Sequence, residues 1–149
     1  MDDGARRAAV AALRDLARSR DYRDRADAGC ALASFAELPE AAEALRELVL
    51  DAGDTFVTRT TAEALLRRMD TLGLAVVGSA LAVADPGHGD WIHTAVVDVF
   101  GVFSRDRDAA MRDCAALTED PDEHVRQGAD QLLAILADID PILHEVRNE

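Results

Sequence analysis

Apolar residues recur along this chain at steps of three and four, the period of one face of an α-helix. The clearest example follows an acidic turn at residues 120–122. Its apolar stripe consists of Val125, Ala129, Leu132, Leu133 and Leu136. Similar but weaker stripes precede it along most of the chain. The pattern predicts an all-α protein.

Capping and turn residues divide this pattern into eight helices. The predicted ranges are 5–19, 22–38, 39–51, 54–69, 72–84, 90–104, 106–117 and 123–137. A short closing helix is predicted at 141–146, after Asp140 and Pro141. Residues 85–89, with the sequence Asp-Pro-Gly-His-Gly, are predicted to form a loop.

The second helices of these pairs share an internal repeat. Arg25, Arg59 and Arg126 each lie three residues before an alanine, and His93 lies three before Val96. The copies recur at a period of about 34 residues. Two further columns are wholly apolar. One consists of Leu32, Leu66, Phe100 and Leu133, and the other of Phe35, Met69, Phe103 and Leu136. We therefore expect a single domain, 1–149, with repeats at 4–38, 39–69, 70–104 and 105–138 and a cap at 140–147.

The segment from Asp122 to Leu133 resembles the second helix of a HEAT-like repeat of the short bacterial type, similar to those of phycobilisome lyases. The resemblance implies a right-handed α–α superhelix whose second helices line a concave groove. Asp24 and Thr58 stand where such repeats usually have Val, and His93 stands in the Arg column.

The resemblance also implies a structural ladder, in which the repeated arginine pairs with an aspartate at an interhelical turn. The expected members of this ladder are Arg25, Arg59, Arg126, Asp21, Asp54 and Asp122.

Composition narrows the partners that the chain would bind. Its net charge is -13, so most of its surface would repel a nucleic-acid backbone. All 16 cationic residues are Arg, which indicates a GC-rich, bacterial coding sequence. The acidic excess is largest in residues 105–149 and favours a basic protein or peptide partner. The longest apolar run, 73–84, is about half a membrane span, and no signal peptide is recognised. A cytoplasmic protein is expected, either monomer or homodimer.

Candidate chemistry is sparse. His88, Asp90 and His93, with Asp85 nearby, are metal-binding residue types. However, His88 is predicted to lie in a flexible loop, and His93 occupies the Arg column of the repeat. Both facts argue against a metal site here. Two separated cysteines, Cys30 and Cys114, are predicted to be free thiols. Phosphate-loop, nucleophile-elbow and zinc-protease motifs are absent from the sequence, so we expect a protein without catalytic residues or cofactors.

The resemblance therefore favours a scaffold or adaptor that binds a partner through the groove. The residues expected to contact the partner are Glu63, Arg67, Arg68, Trp91, Asp98, Asp130 and Gln131. Thr61 and Cys30 are expected to line the same groove. Tyr22, Phe56 and Trp91 form an aromatic row that either contacts the partner or caps the core. Two alternatives remain open: an immunity protein or inhibitor of a basic toxin, and an enzyme subunit by analogy with the lyases.

Overall fold

A computed structural model describes residues 1–146, in which α-helices are the main regular structure, and it confirms the predicted all-α fold class. The helices are α1 (Asp3–Leu16), α2 (Tyr22–Leu32), α3 (Pro39–Val49), α4 (Thr55–Leu66), α5 (Thr71–Val83), α6 (Pro86–Phe100), α7 (Ser104–Leu117) and α8 (Glu123–Asp138). A short 3-10 turn (Ala33–Phe35) follows α2, so α2 is shorter than the range 22–38 predicted for it. Among the described helices, none is both long and apolar enough to cross a membrane.

Aspartates start most of these helices. In each case the side chain accepts a hydrogen bond from a backbone N–H of the first turn, which would otherwise lack a partner. The capping residues are Asp2, Asp21, Asp54, Asp70, Asp85 and Asp122. Such a cap contributes about 1 kcal/mol to helix stability.

The helices form four consecutive pairs that stack side by side. The second helices α2, α4 and α6 pack against one another in order, and the first helices α1, α3, α5 and α7 do the same. The core between these layers consists mainly of Ala, Leu and Val, with Phe100 as its largest buried side chain. This arrangement is that of an all-α helical-repeat fold.

Helix α8 departs from this regular stacking, although its partner α7 follows it. α8 packs most extensively against α5 and makes only slight contact with α6. Gly128 of α8 faces Gly78 of α5, and a Cβ at Gly128 would overlap the Gly78 carbonyl oxygen. The two glycines therefore allow the helix backbones to approach closely. Helix α5, which is apolar on nearly every side, becomes the central helix of the molecule.

The predicted loop at residues 85–89 is wrong. Helix α6 begins at Pro86, and Asp85 caps it by accepting from the His88 N–H. Proline is well suited to the first turn of a helix, because the N–H that it lacks would have no intrahelical partner there. The two glycines beyond it are tolerated within this capped turn.

The predicted closing helix is also wrong. Residues 140–146, the C-terminal strap, are not helical, and Leu143 forms an isolated parallel bridge with Phe103 beside the α6–α7 loop. Leu143 donates to the Val102 carbonyl at 2.8 Å and accepts from the Ser104 N–H at 2.8 Å. Proline at 141 favours an extended conformation in the residue before it, which directs the chain away from helix. The last position of the expected cap, 147, lies outside the described residues.

Candidate functional site

The arginine column divides into structural and surface contacts. The Arg25 guanidinium donates to the Ser19 and Arg20 carbonyl oxygens, both at 3.1 Å. Arg126 likewise donates to the Asp120 and Pro121 carbonyls, both at 2.9 Å. Each arginine thereby fixes the turn that precedes its own helix, as a structural ladder would.

The aspartates expected to accept these arginines do not do so. Asp21, Asp54 and Asp122 use their carboxylates as N-caps of α2, α4 and α8. Asp21 also forms an ion pair with Arg23, which is exposed. These carboxylates accept hydrogen bonds from backbone N–H groups at the helix starts. Arg25 and Arg126 instead donate to backbone carbonyl oxygens of the preceding turns. The ladder expected from the sequence is therefore wrong in its carboxylate members.

Arg59 differs from the other two arginines. Its side chain pairs with Glu63 one turn along α4 at 3.0 Å and with Asp98 of α6 at 3.4 Å. All three side chains are partly exposed on the second-helix surface, which we define as the solvent-facing sides of α2, α4 and α6. Two of the expected partner contacts, Glu63 and Asp98, thus share one ion-pair cluster.

Asp51 is the main structural residue that the sequence did not predict. It lies in the α3–α4 turn, and its carboxylate accepts two hydrogen bonds from Arg25, at 2.9 and 3.1 Å. The backbone N–H groups of Gly53 and Asp54 donate to the same carboxylate. Burial alone would raise the pKa of Asp51, but the Arg25 and backbone hydrogen bonds hold it below its ordinary value.

His88 joins the same turn from the opposite side. Its Nε2 lies 2.7 Å from the Asp51 carbonyl oxygen, and its Nδ1 lies 2.8 Å from Asp85 Oδ2. These hydrogen bonds, to the Asp51 carbonyl first and to Asp85 second, raise the pKa of His88 above its ordinary value. Because His88 was assigned to a loop, no sequence signal pointed to this contact.

A surface hollow of about 200 Å³ lies beside this contact. It is lined by the α3–α4 turn and by the first turns of α4 and α6. Trp91 forms part of its wall, together with Asp54, Asp85 and His88. The hollow therefore combines an indole ring with carboxylates, which are groups that attract cationic side chains.

An aromatic edge extends from this hollow across three helix pairs. Tyr22, Phe56 and Trp91 lie near the N-termini of α2, α4 and α6 and are exposed by 43%, 50% and 37%. The Tyr22 and Phe56 rings meet edge to face, with their centroids 6.0 Å apart. We call these three side chains the aromatic edge. Their exposure shows that they do not simply cap the core.

The second apolar column of the repeat lies at the other end of the second helices. Met69 and Phe103 are exposed by 45% and 46%, and Phe35 is partly buried, so Leu136 is the fully buried member. Met69 and Phe103 occupy loops between helix pairs, outside the core, whereas Leu136 lies within α8. Met69 has a left-handed backbone conformation, with φ 57°, just after the end of α4.

The remaining expected contacts occupy different places. Arg67 is exposed on the second-helix surface. Arg68 instead donates to the Ala33 carbonyl at 2.6 Å and pairs with Asp70, so its nitrogens hold two helix pairs together. Asp130 and Gln131 are exposed on α8, which leaves the row of second helices to pack on α5. Asp130 and Gln131 therefore take no part in the ion-pair cluster of Glu63 and Asp98.

The expected groove lining is only partly accessible. Thr61 is fully buried, because its hydroxyl packs against the backbone of Gly29, where a side chain would collide with it. Cys30 is exposed and Cys114 is buried, and both are free thiols. The chemistry available on this surface is thus that of ion pairs, one thiol and aromatic rings.

Within residues 1–146, no three His, Cys, Asp or Glu side chains are arranged to hold a metal ion. Both ring nitrogens of His88 are in hydrogen-bond contact, one with the Asp51 carbonyl and the other with the Asp85 carboxylate. His93 is exposed on α6. These side chains therefore do not converge on a common point with Asp90.

Comparison with known proteins adds little to this description. No known family profile matches the chain, and no curated protein matches it. Among solved structures, it is similar to an engineered protein from the Northeast Structural Genomics Consortium, with 22% sequence identity and a TM-score of 0.35. The match covers 86% of this chain and 62% of that protein's length. A TM-score this low supports no conclusion about fold or function, so the HEAT-like resemblance stays a prediction.

Proposed function

We propose that the protein is a non-enzymatic helical-repeat scaffold that binds a protein or peptide partner along the aromatic edge and the adjoining second-helix surface. One observation supports this proposal above the others. The chain has four Phe, one Tyr and one Trp, and of these Phe100 alone is fully buried. Large aromatic side chains are usually buried, and they are enriched at the centres of protein interfaces.

The chemistry around the edge favours a partner segment that carries both apolar and cationic side chains. The hollow beside Trp91 offers the Asp54 carboxylate, which caps α4 through one oxygen. An arginine or lysine side chain over an indole ring gains about 0.5–2 kcal/mol, more when desolvated. A net charge of -13 would also accelerate the approach of a basic partner.

The second-helix surface beside this edge is mixed in charge. Arg59 and Arg67 alternate with Asp27, Glu63 and Asp98 across α2, α4 and α6. Alternating charges of this kind favour register and specificity over raw affinity. We therefore assign the apolar contact to the aromatic edge and the selection of partners to the second-helix surface.

Affinity capture from source lysate tests the proposal, provided that each retained protein is then titrated directly with the purified chain. Phe56→Ala and Trp91→Ala should each weaken the direct interaction by about tenfold or more, as expected for aromatic interface contacts. Phe103→Ala is the matched control, because Phe103 is exposed to a similar degree (46% against 50% for Phe56) at the opposite end of the helices.

Two outcomes would overturn the proposal. The first is an equal loss of affinity in the edge and control variants, since a site at the aromatic edge requires them to differ. The second is a lysate from which the folded wild-type chain retains no protein. Circular dichroism of each variant separates loss of binding from loss of folding.

A further inference from the structure

His88 is held by hydrogen-bond acceptors at both of its ring nitrogens. Nε2 faces the Asp51 carbonyl oxygen at 2.7 Å, and Nδ1 faces the Asp85 carboxylate at 2.8 Å. A carbonyl oxygen cannot donate a hydrogen bond, and neither can an ionised carboxylate. Both contacts are therefore hydrogen bonds only when both ring nitrogens carry protons, that is, when His88 is an imidazolium.

One of these two contacts joins separate helix pairs. Asp51 belongs to the turn between α3 and α4, whereas His88 and Asp85 belong to the start of α6. Arg25 reaches the same turn from α2 through the Asp51 carboxylate. Three consecutive helix pairs thus meet at Asp51. The contact with the third pair is made by His88, whose ring can gain or lose a proton.

We propose that His88 is a proton-dependent clasp between the second and third helix pairs. As an imidazolium it holds the first turn of α6 against the α3–α4 turn. As a neutral ring it keeps a single donor, and its other nitrogen then presents a lone pair to an acceptor at hydrogen-bond distance. The Asp85 carboxylate is the stronger acceptor and keeps the remaining proton at Nδ1. The contact of Nε2 with the Asp51 carbonyl therefore becomes repulsive, and the first turn of α6 separates from the α3–α4 turn.

The charges around the clasp favour the protonated form. Asp51 of the α3–α4 turn and Asp85, the cap of its own helix, both attract the imidazolium, and Asp54 lines the same hollow. The cation on α2, Arg25, has its charge paired with the Asp51 carboxylate. The side chain of His88 is only 20% exposed, so solvent screens these interactions incompletely.

The direction of the pH effect follows from this environment. Hydrogen bonding to Asp51 and Asp85 raises the pKa of His88 in the folded protein above its ordinary value of about 6.5. The clasp therefore contributes its full stabilisation below about pH 6.5, and this stabilisation is lost as pH rises through the folded pKa.

Trp91 provides a direct readout, because it is the one tryptophan of the chain and lines the hollow beside His88. Its fluorescence should change between about pH 5 and pH 9, with a midpoint above about 6.5. The transition should be absent in His88→Gln and retained in His93→Gln, the control for the exposed histidine two positions from Trp91. The amide protection factors at residues 52–55 and 87–89, which correct for the intrinsic rise of exchange with pH, should fall above the midpoint.

Titration of the His88 ring by NMR in the wild-type protein decides the matter even if His88→Gln fails to fold. A ring midpoint at or below about 6.5 would overturn the clasp, as would amide protection factors that stay constant across the midpoint. The experiment uses the free chain, so its outcome does not depend on the proposed partner. Failure to find a partner would leave the clasp intact, and the reverse also holds.

Discussion

Gly128 of α8 lies directly against Gly78 of α5, the two described helices that pack most extensively against each other. Neither residue is required for a left-handed backbone conformation, since no glycine of the described chain has a positive φ. Their role is to bring two helix backbones together. This crossing draws α8 away from the row formed by α2, α4 and α6.

Gly128→Ala should destabilise the protein by about 1–3 kcal/mol, because the new Cβ would overlap the Gly78 carbonyl and force the helices apart. Gly89→Ala is the matched control. Gly89 lies in α6 with no neighbouring atom within 4 Å of an added Cβ, so alanine there should stabilise by about 0.5–1 kcal/mol. Urea denaturation measures both effects. Equal changes in the two variants would contradict the close crossing.

Asp51→Ala should cost about 2–3 kcal/mol, because it leaves the Arg25 guanidinium and two backbone N–H groups without their acceptor. The Arg25 and Asp51 side chains are only 15% and 11% exposed. Asp98→Ala, which breaks a solvent-exposed pair with Arg59, should cost no more than about 0.5 kcal/mol. Thermal unfolding of both variants measures these two losses of stability. A loss in Asp98→Ala as large as that in Asp51→Ala would contradict the prediction.

Acid should weaken the Asp51 contact in a defined direction. Hydrogen bonds from Arg25 and the turn hold the pKa of Asp51 below the ordinary value of 3.8, despite its burial. Its contribution is therefore present above that value and lost as pH falls through the folded pKa. The stability difference between wild type and Asp51→Asn should shrink from neutral pH to about pH 2–3. A difference that grows on acidification would show that another group controls this interaction.

Thr58→Val should stabilise the protein by about 1 kcal/mol. The Thr58 hydroxyl is fully buried and lacks a hydrogen-bond partner among the described residues, so valine removes an unsatisfied polar atom at nearly constant volume. Ser79→Ala makes the opposite comparison, because the buried Ser79 hydroxyl donates to the Val76 carbonyl at 2.9 Å. Calorimetry should show a higher Tm for Thr58→Val and no such increase for Ser79→Ala.

The two thiols should differ in reactivity. Burial raises the pKa of Cys114 to about 12, with a smaller contribution from the Asp113 carboxylate. Cys30 is exposed, although partial burial and then Asp27 and Glu63 raise its pKa as well. A thiol reagent should modify Cys30 slowly in the native protein and Cys114 only after unfolding. Asp27→Asn should accelerate the reaction of Cys30, and rapid native modification of Cys114 would contradict its burial.

Local patterns predicted most of the helices. Asp54 and Asp122 were recognised as helix starts because capping depends on a few adjacent residues, and the stripe from Val125 to Leu136 follows from helical periodicity. The start of α6 and the strap were predicted wrongly. In both places proline permits two local conformations, and tertiary hydrogen bonds such as Leu143 to Val102 select between them.

The candidate site was less predictable, because its contacts join distant parts of the chain. Arg25 pairs with Asp51 and His88 reaches the carbonyl of Asp51, and neither spacing belongs to a helical period. An isolated glycine in a helix carries no signal of what it faces, so the crossing of Gly78 and Gly128 was equally hidden. The aromatic edge was anticipated because its members recur with the repeat.

The return of α8 across α5 changes how the molecule should unfold. In an ideal repeat array each unit contacts only its neighbours, so the ends can melt while the middle persists. Here the last pair is anchored on the central helix, which also packs against α3, α4 and α7. Loss of the fourth pair would expose the apolar surface of α5 and remove support from the rest. The chain should therefore unfold as one cooperative unit, although its sequence contains internal repeats.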